Sequence, residues 1–161
     1  MNGEKEQETF FDAIYHGDCD TVREMLAQGF SANTRNRERE TALVYAASHG
    51  RDNCVQALLD YGAAFQKLPI IDAAVPRDAS VLRRFVQMNG TTDAETLQDA
   101  LLEAAFYGNA DSVALLLANG ANPQKESSAG QNIFEAPELW DCTSEERAQV
   151  LSLLRATFRK G

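Results

Sequence analysis

The stretch Thr41 to Phe65, TALVYAASHGRDNCVQALLDYGAAF, constrains the fold more than any other part of the chain. Leu43, Ala46 and Ala47 fall at i, i+3 and i+4 and so share one helical face. Val55, Leu58 and Leu59 repeat that spacing. Gly50 separates the two runs, and Gly62 follows the second, where a left-handed residue satisfies the last carbonyls of a helix. A pair of short helices with one apolar stripe needs a neighbour to cover it.

The same chain supplies the neighbours. Aligning on the small residue near the end of each first helix gives Ala13, Ala46, Ala73, Ala104 and Ala136. The turn between helices falls at Gly17, Gly50, Arg77 and Gly108, and the closing turn at Gly29, Gly62, Asn89-Gly90 and Gly120. Asp20, Asn53, Ser80 and Asp111 follow the inter-helix turn and are expected to cap or precede a first turn. The second helices carry Val22/Met25/Leu26, Val55/Leu58/Leu59, Leu82/Phe85/Val86 and Val113/Leu116/Leu117.

These residues resemble the ankyrin repeat, whose pattern is visible in TALVYAASHG…VQALLDYGAA and again in LLEAAFYGNADSVALLLANGANP. The resemblance covers residues 8 to 154 and implies an all-α solenoid of four to five stacked helix-turn-helix repeats with degenerate terminal caps. It places repeats at about 8–40, 41–67, 68–98, 99–130 and 131–161 of a single domain, 1–161. The family's TPLH tetrapeptide appears only as Thr41-Ala42-Leu43-Val44 and Leu68-Pro69-Ile70-Ile71, so the bonds made there are expected to be partly lost.

Along the chain, residues 1–7 read as a frayed polar lead-in. Phe10, Phe11, Ile14 and Met25 read as core of a capping first repeat. The charged run from Thr34 to Glu40 corresponds to the finger that joins repeats in the family. Repeat three starts six residues after Gly62, so its finger is expected to be shortened or missing, and repeat four returns to pattern at Asp99. Pro137 must disturb the first helix of repeat five. Thr143-Ser144-Glu145-Glu146 reads as a capping box opening the last helix, with Val150, Leu151 and Leu154 facing inward and Arg155, Arg159 and Lys160 at its C-terminal end.

The chemistry-bearing residues form no catalytic or ligand pattern: there is no phosphate loop, HExxH, CxxC or nucleophile elbow. Two histidines and three cysteines lack metal-ligand spacing, so no metal and no cofactor are expected. Cys19 and Cys54 read as reduced side chains of a cytoplasmic protein. His16 lies near Cys19 without an orienting partner, and the acids of Asp18-Cys19-Asp20 and Asp93-Ala94-Glu95 sit at helix starts. The polar N-terminus has no signal-like apolar region, and no stretch reaches membrane-spanning length.

What remains is a surface. In the resemblance, partners lie against the fingers and the exposed side of the first helices, where this chain has Tyr15, His16, Ser48, His49, Val75, Phe106, Tyr107 and Trp140, with Arg37, Glu38 and Glu40 in the finger. Aromatic residues at such positions favour an interface; packing between repeats is the competing role for Phe106 and Trp140. The net charge of −9 opposes nucleic acid and anionic membranes and favours a basic protein partner. The resemblance to small bacterial ankyrin proteins implies a non-enzymatic, monomeric binding protein, with an immunity protein that blocks a toxin or effector enzyme as the favoured role. A scaffold, a secreted host-directed effector, or a ligand pocket or active site around Tyr15, His16 and His49 are the alternatives.

Overall fold

The computed structural model describes residues 2–65, 69–89, 93–135 and 137–157. Ala136, Arg159, Lys160 and Gly90, and residues 66–68 of the stretch where the finger before repeat three is expected to be shortened or missing, lie outside them. The chain divides into two compact units, Met1–Pro69 and Ile70–Gly161. Among the described residues the secondary structure is helical, apart from one isolated bridge between Arg35 and Thr41.

The first unit holds two helical hairpins, α1 (Asn2–His16) with α2 (Cys19–Ala27), and α3 (Ala42–Ser48) with α4 (Asp52–Asp60). α1 packs on α3 and α2 on α4. The core is the set the periodicity selects: Phe10, Ile14, Val22, Leu43, Ala46, Val55 and Leu58 are buried. Met25 and Leu59 are half-buried rather than central. α1 corrects the expectation of a frayed lead-in, because residues 3–7 are helical. Glu, Lys and Gln are good helix formers, and the extension is tied down where the Gln7 amide donates to the Arg35 carbonyl and Glu8 pairs with Arg37.

Each hairpin closes the same way. Gly17 (φ 74°) and Gly50 (φ 66°) are left-handed. The next residue's amide bonds back to the small residue of the first helix, Asp18 to Ala13 at 2.9 Å and Arg51 to Ala46 at 2.9 Å. The glycine amides bond one residue further on, to Ile14 and Ala47, completing the paired closure of a helix C-terminus. Asp18, not Asp20, caps α2, accepting from the Thr21 amide at 3.2 Å and its hydroxyl at 2.7 Å. Those bonds hold the Asp18 carboxyl below its ordinary range. Thr41 keeps the capping role of the family's threonine, accepting from the Val44 amide at 3.3 Å.

Bonds between repeats continue the pattern. The Arg51 guanidinium donates to the Tyr15 carbonyl, which α1 leaves without a helical partner. Asn33 donates to the Gly62 carbonyl at 3.4 Å and accepts from the Ala64 amide at 2.6 Å. The finger is a hairpin: Asn36 and Glu40 are joined by main-chain and side-chain bonds, and Arg39 turns the chain at φ 68°.

Cys19 and Cys54 form a disulfide, which corrects the reading of both as reduced thiols. Stacking α2 on α4 brings these two positions, 35 residues apart in sequence, to a Cα separation of 5.0 Å. That distance lies inside the range a disulfide spans. Cys142 is the free cysteine.

The second unit holds α5 (Ile70–Ala74), α6 (Ser80–Asn89), α7 (Ala94–Phe106), α8 (Ala110–Ala118), a 3₁₀ turn (Pro137–Leu139) and α9 (Ser144–Thr157). α5 packs on α7, α7 on α8 and α8 on α9. α7 starts at Ala94, capped by Asp93 at 2.8 Å from the Thr96 amide, so it crosses the boundary drawn between residues 98 and 99. Gly108 and Gly120 close α7 and α8 as in the first unit, with Asn109 bonding to Ala104 and Ala121 to Leu116. Where repeat three has Pro76-Arg77 in place of glycine, Asn109 reaches back and donates to the Ala74 carbonyl at 3.0 Å and to that of Val75.

A second finger, not anticipated from the sequence, copies the first. Ser127 bonds to Gln131 and Gly130 to Ser127 as Asn36 bonds to Glu40 and Arg39 to Asn36, with Gly130 left-handed at φ 74°. Repeat five has only the 3₁₀ turn at Pro137 where a first helix would stand. The capping box is present: the Glu146 amide donates to Thr143 Oγ1 at 3.2 Å, and the Thr143 amide donates to Glu146 Oε2 at 2.9 Å. Arg77 pairs with the same carboxylate.

Three outcomes follow from these contacts. A Cβ at Gly108 would lie 2.6 Å from that of Cys142, whereas Gly120 faces open space. In urea unfolding, Gly120→Ala should cost the left-handed strain alone, about 1–2 kcal/mol, and Gly108→Ala a further ~1–3 kcal/mol of overpacking. Secondly, the Arg77 hydrogen bond, then those of Thr143, hold the Glu146 carboxyl at about 2 against an ordinary 4.5. A carboxyl depressed on folding stabilises above its unfolded value and loses that contribution as pH falls. The stability gap between wild type and Glu146→Gln, which keeps the cap but not the charge, should therefore be level at neutral pH and close between pH 4.5 and about 2. Thirdly, the 35-residue separation of the disulfide corresponds to about 3–4 kcal/mol of loop-closure stabilisation. Denatured, unreduced protein should alkylate at Cys142 alone, and reduction should lower the urea midpoint accordingly.

Candidate functional site

In the first unit, α1, the finger and α3 enclose a cleft of about 490 Å³. α1 presents Phe11, Asp12 and Tyr15 at helical spacing, the finger adds Asn36 to Glu38, and α3 adds Tyr45. The rings form a continuous series. Phe11 meets Tyr45 edge-on at 5.3 Å, Tyr45 lies 4.3 Å from His49, His49 5.3 Å from Tyr15, and Tyr15 5.1 Å from His16. Tyr15 is 48% exposed, so the series ends in solvent.

The structure thus brings together Tyr15, His16, Ser48 and His49, with Arg37 and Glu38 across the cleft. Glu40 is turned to its own finger, accepting from the Asn36 amide group at 2.8 Å. Tyr45 was not among the residues singled out from the sequence. Its signal was present, since it lies four residues before His49 and so on the same helical face. Burial first, and then the charges of Tyr15, Glu38, Glu40 and Asp12, raise the Tyr45 phenol above its ordinary value and keep it protonated.

The polar contacts here position side chains rather than activate them. His49 Nδ1 lies 2.8 Å from the Tyr45 carbonyl and 3.1 Å from Ser48 Oγ. A carbonyl can only accept, so the contact with Tyr45 fits an Nδ1 that carries the proton. His16 Nδ1 is held likewise, 3.0 Å from the Asp12 carbonyl. Cys19, bonded to Cys54, is not a thiol for His16 to activate. Among the described residues no group of His, Cys, Asp and Glu is arranged to hold a metal.

In the second unit a cleft of about 480 Å³ is lined by Glu103, Phe106 and Tyr107 of α7 and its cap, and by Gln131 and Trp140. Phe106 is 37% exposed and meets Tyr107 edge-on at 5.1 Å. Trp140 is 7% exposed, so it packs beneath this surface. Val75 is half-buried, its carbonyl taken by Asn109. Burial, with Asp72 and Asp99 adding to it, raises the Glu103 carboxyl.

No described helix is long and apolar enough to cross a membrane. The family model described as ankyrin repeats (3 copies) matches residues 10–127. The ankyrin repeat protein YahD of Escherichia coli strain K12 is 35% identical over 77 residues, which are 44% of this chain and 38% of that protein. The ankyrin repeat, SAM and basic leucine zipper domain-containing protein 1 of Atelerix albiventris is 43% identical over 60 residues, 37% of this chain and 13% of that one. The transient receptor potential cation channel subfamily A member 1 homolog of Caenorhabditis elegans is 28% identical over 143 residues, 82% of this chain and 12% of the channel. The chain therefore spans well under half the length of each of these relatives. The family match, the glycine-closed helix pairs and the fingers agree: the chain belongs to the ankyrin repeat family.

Proposed function

We propose that this protein binds a partner protein through the aromatic cleft and finger of its first unit and performs no catalysis itself. The observation that carries this is the ring series running through exposed Tyr15, beside a finger that bonds within itself and to α1. Tyrosine offers large contact area at low entropic cost and is enriched at interface hot spots. The surface is held by the fold before any partner arrives, so little ordering cost remains. Phe106 and Tyr107 in the second unit are proposed as a separate contact patch.

The net charge of −9 favours a basic partner by steering. Within this reading the preferred role is an inhibitor of the immunity kind, which covers the active site of a toxin or effector enzyme. The cytoplasmic expectation rested on reduced thiols and on a polar N-terminus without a signal-like apolar region. With Cys19 paired to Cys54, the proposal places binding in an oxidising compartment, where such bonds persist.

The test compares wild type with Tyr15→Ala/His49→Ala, and separately with Tyr107→Ala, in affinity capture from the native cell, each variant first checked by circular dichroism. A stoichiometric partner lost by the first variant, with at least a tenfold rise in Kd (about 1.4 kcal/mol), is the expected result. Undiminished capture by a folded Tyr15→Ala/His49→Ala variant overturns the cleft assignment. A partner whose own enzymatic activity is unchanged in the complex overturns the inhibitor role and leaves the binding role standing.

A further inference from the structure

The cleft of the first unit has a lining too specific for a general contact surface. Its apolar part is aromatic: Phe11 and Tyr45 meet at 83°, and Tyr15 stands beside them half exposed. Its charged lining is four carboxylates, Glu4, Glu8, Asp12 and Glu38, against the single guanidinium of Arg37. Glu8 is engaged by Arg37, and Asp12 lies 3.4 Å from His16. Glu4 and Glu38 form no ion pair with any described residue.

Aromatic faces carry negative potential and attract cations, guanidinium above all because it also stacks as a plane. Carboxylates bind the same group through paired, charge-assisted hydrogen bonds. At about 490 Å³ the cleft falls within the range of formed ligand sites, about 300–1,000 Å³, with room for a side chain and its flanking backbone. Arg37 already shows the mode, since its guanidinium sits at the rim on Glu8 while the side chain remains 79% exposed. The Tyr45 phenol, kept protonated by burial and by its acidic neighbours, adds a neutral ring face and an oxygen lone pair that can accept from the guanidinium.

We propose that this cleft is a receptor for an arginine side chain of the partner protein, its guanidinium lying against Tyr15 and Tyr45 and bridged by Glu4 and Glu38. This assignment rests on the partner-binding reading given above and narrows it to one anchor residue.

The test is a titration of the full chain, followed by NMR, with the peptide amide Gly-Ser-Arg-Gly-Ser, its citrulline counterpart, and spermidine. Citrulline keeps the shape of arginine and removes its charge. Saturable shifts confined to the rings of Phe11, Tyr15 and Tyr45 and the amides of residues 36–38 are expected with the arginine peptide. Binding should weaken about fivefold with citrulline, as loss of a cation–π contact implies, and by a similar factor in Glu4→Gln/Glu38→Gln, whose exposed sites leave the thermal midpoint unchanged. Equal shifts with citrulline, shifts elsewhere, or an unaffected double variant overturn the proposal. So does tighter binding of spermidine at the same resonances, which would make the occupant a small cation. If the arginine peptide fails while Tyr15→Ala/His49→Ala still loses its captured partner, the arginine assignment falls and the binding surface stands; if that variant also keeps its partner, both fall.

Discussion

The fold depends on how its helices stop. At Gly17, Gly29, Gly50, Gly62, Gly108 and Gly120 the backbone enters the left-handed region. At each, the next residue's amide bonds back to a carbonyl of the helix just finished. That closure satisfies carbonyls which would otherwise be left bare as the chain reverses. It also fixes the length of each helix, and with it the register in which Ala13, Ala46 and Ala104 meet their neighbours. These alanines are buried because a larger side chain would hold the stacked helices apart.

Stacking then recruits polar groups from one repeat to complete another. Arg51 and Asn109 occupy equivalent places after the inter-helix glycine, and each donates to main-chain carbonyls of the preceding repeat. Repeat three, which lacks the glycine, shows why this matters: its short first helix ends on carbonyls that Asn109 holds from outside. Among the described residues the buried Asn109 side-chain carbonyl oxygen and Ser112 hydroxyl have no hydrogen-bond partner. Packing of α7 against α5 and α8 carries such local costs more easily than isolated helices could.

The candidate site is a by-product of the same geometry. On α1 and α3 the residues that line the cleft beside the finger are aromatic (Phe11, Tyr15, Tyr45) and, on α1, acidic as well (Glu4, Glu8, Asp12). α1 and α3, packed side by side, bring Tyr15, Tyr45 and His49 into one ring series. The finger is stiffened by Asn36 and Glu40 and fastened to α1 by Arg37 and Gln7, so it forms a wall rather than a loose loop. Among the described residues Arg39, which turns this finger, is the one non-glycine residue in the left-handed region.

Sequence alone determined the helix pairs, their glycine stops, the buried alanine and leucine positions and the Thr143–Glu146 cap, because each depends on residues within one or two turns of each other. It also singled out Tyr15 and His49. It did not reveal that Tyr45 joins them, that residues 127–131 copy the first finger, or that α1 extends through the charged N-terminal residues. The bonds that fasten α1 and the second finger, Gln7 to Arg35 and Ser128 to Asp99, cross about thirty residues of chain, which periodicity does not encode. The cysteines show the difference most plainly. Cys19 and Cys54 occupy unlike positions in successive repeats, so no pattern pairs them; only the offset with which α2 lies on α4 brings them to 5.0 Å and turns two small apolar side chains into a covalent staple.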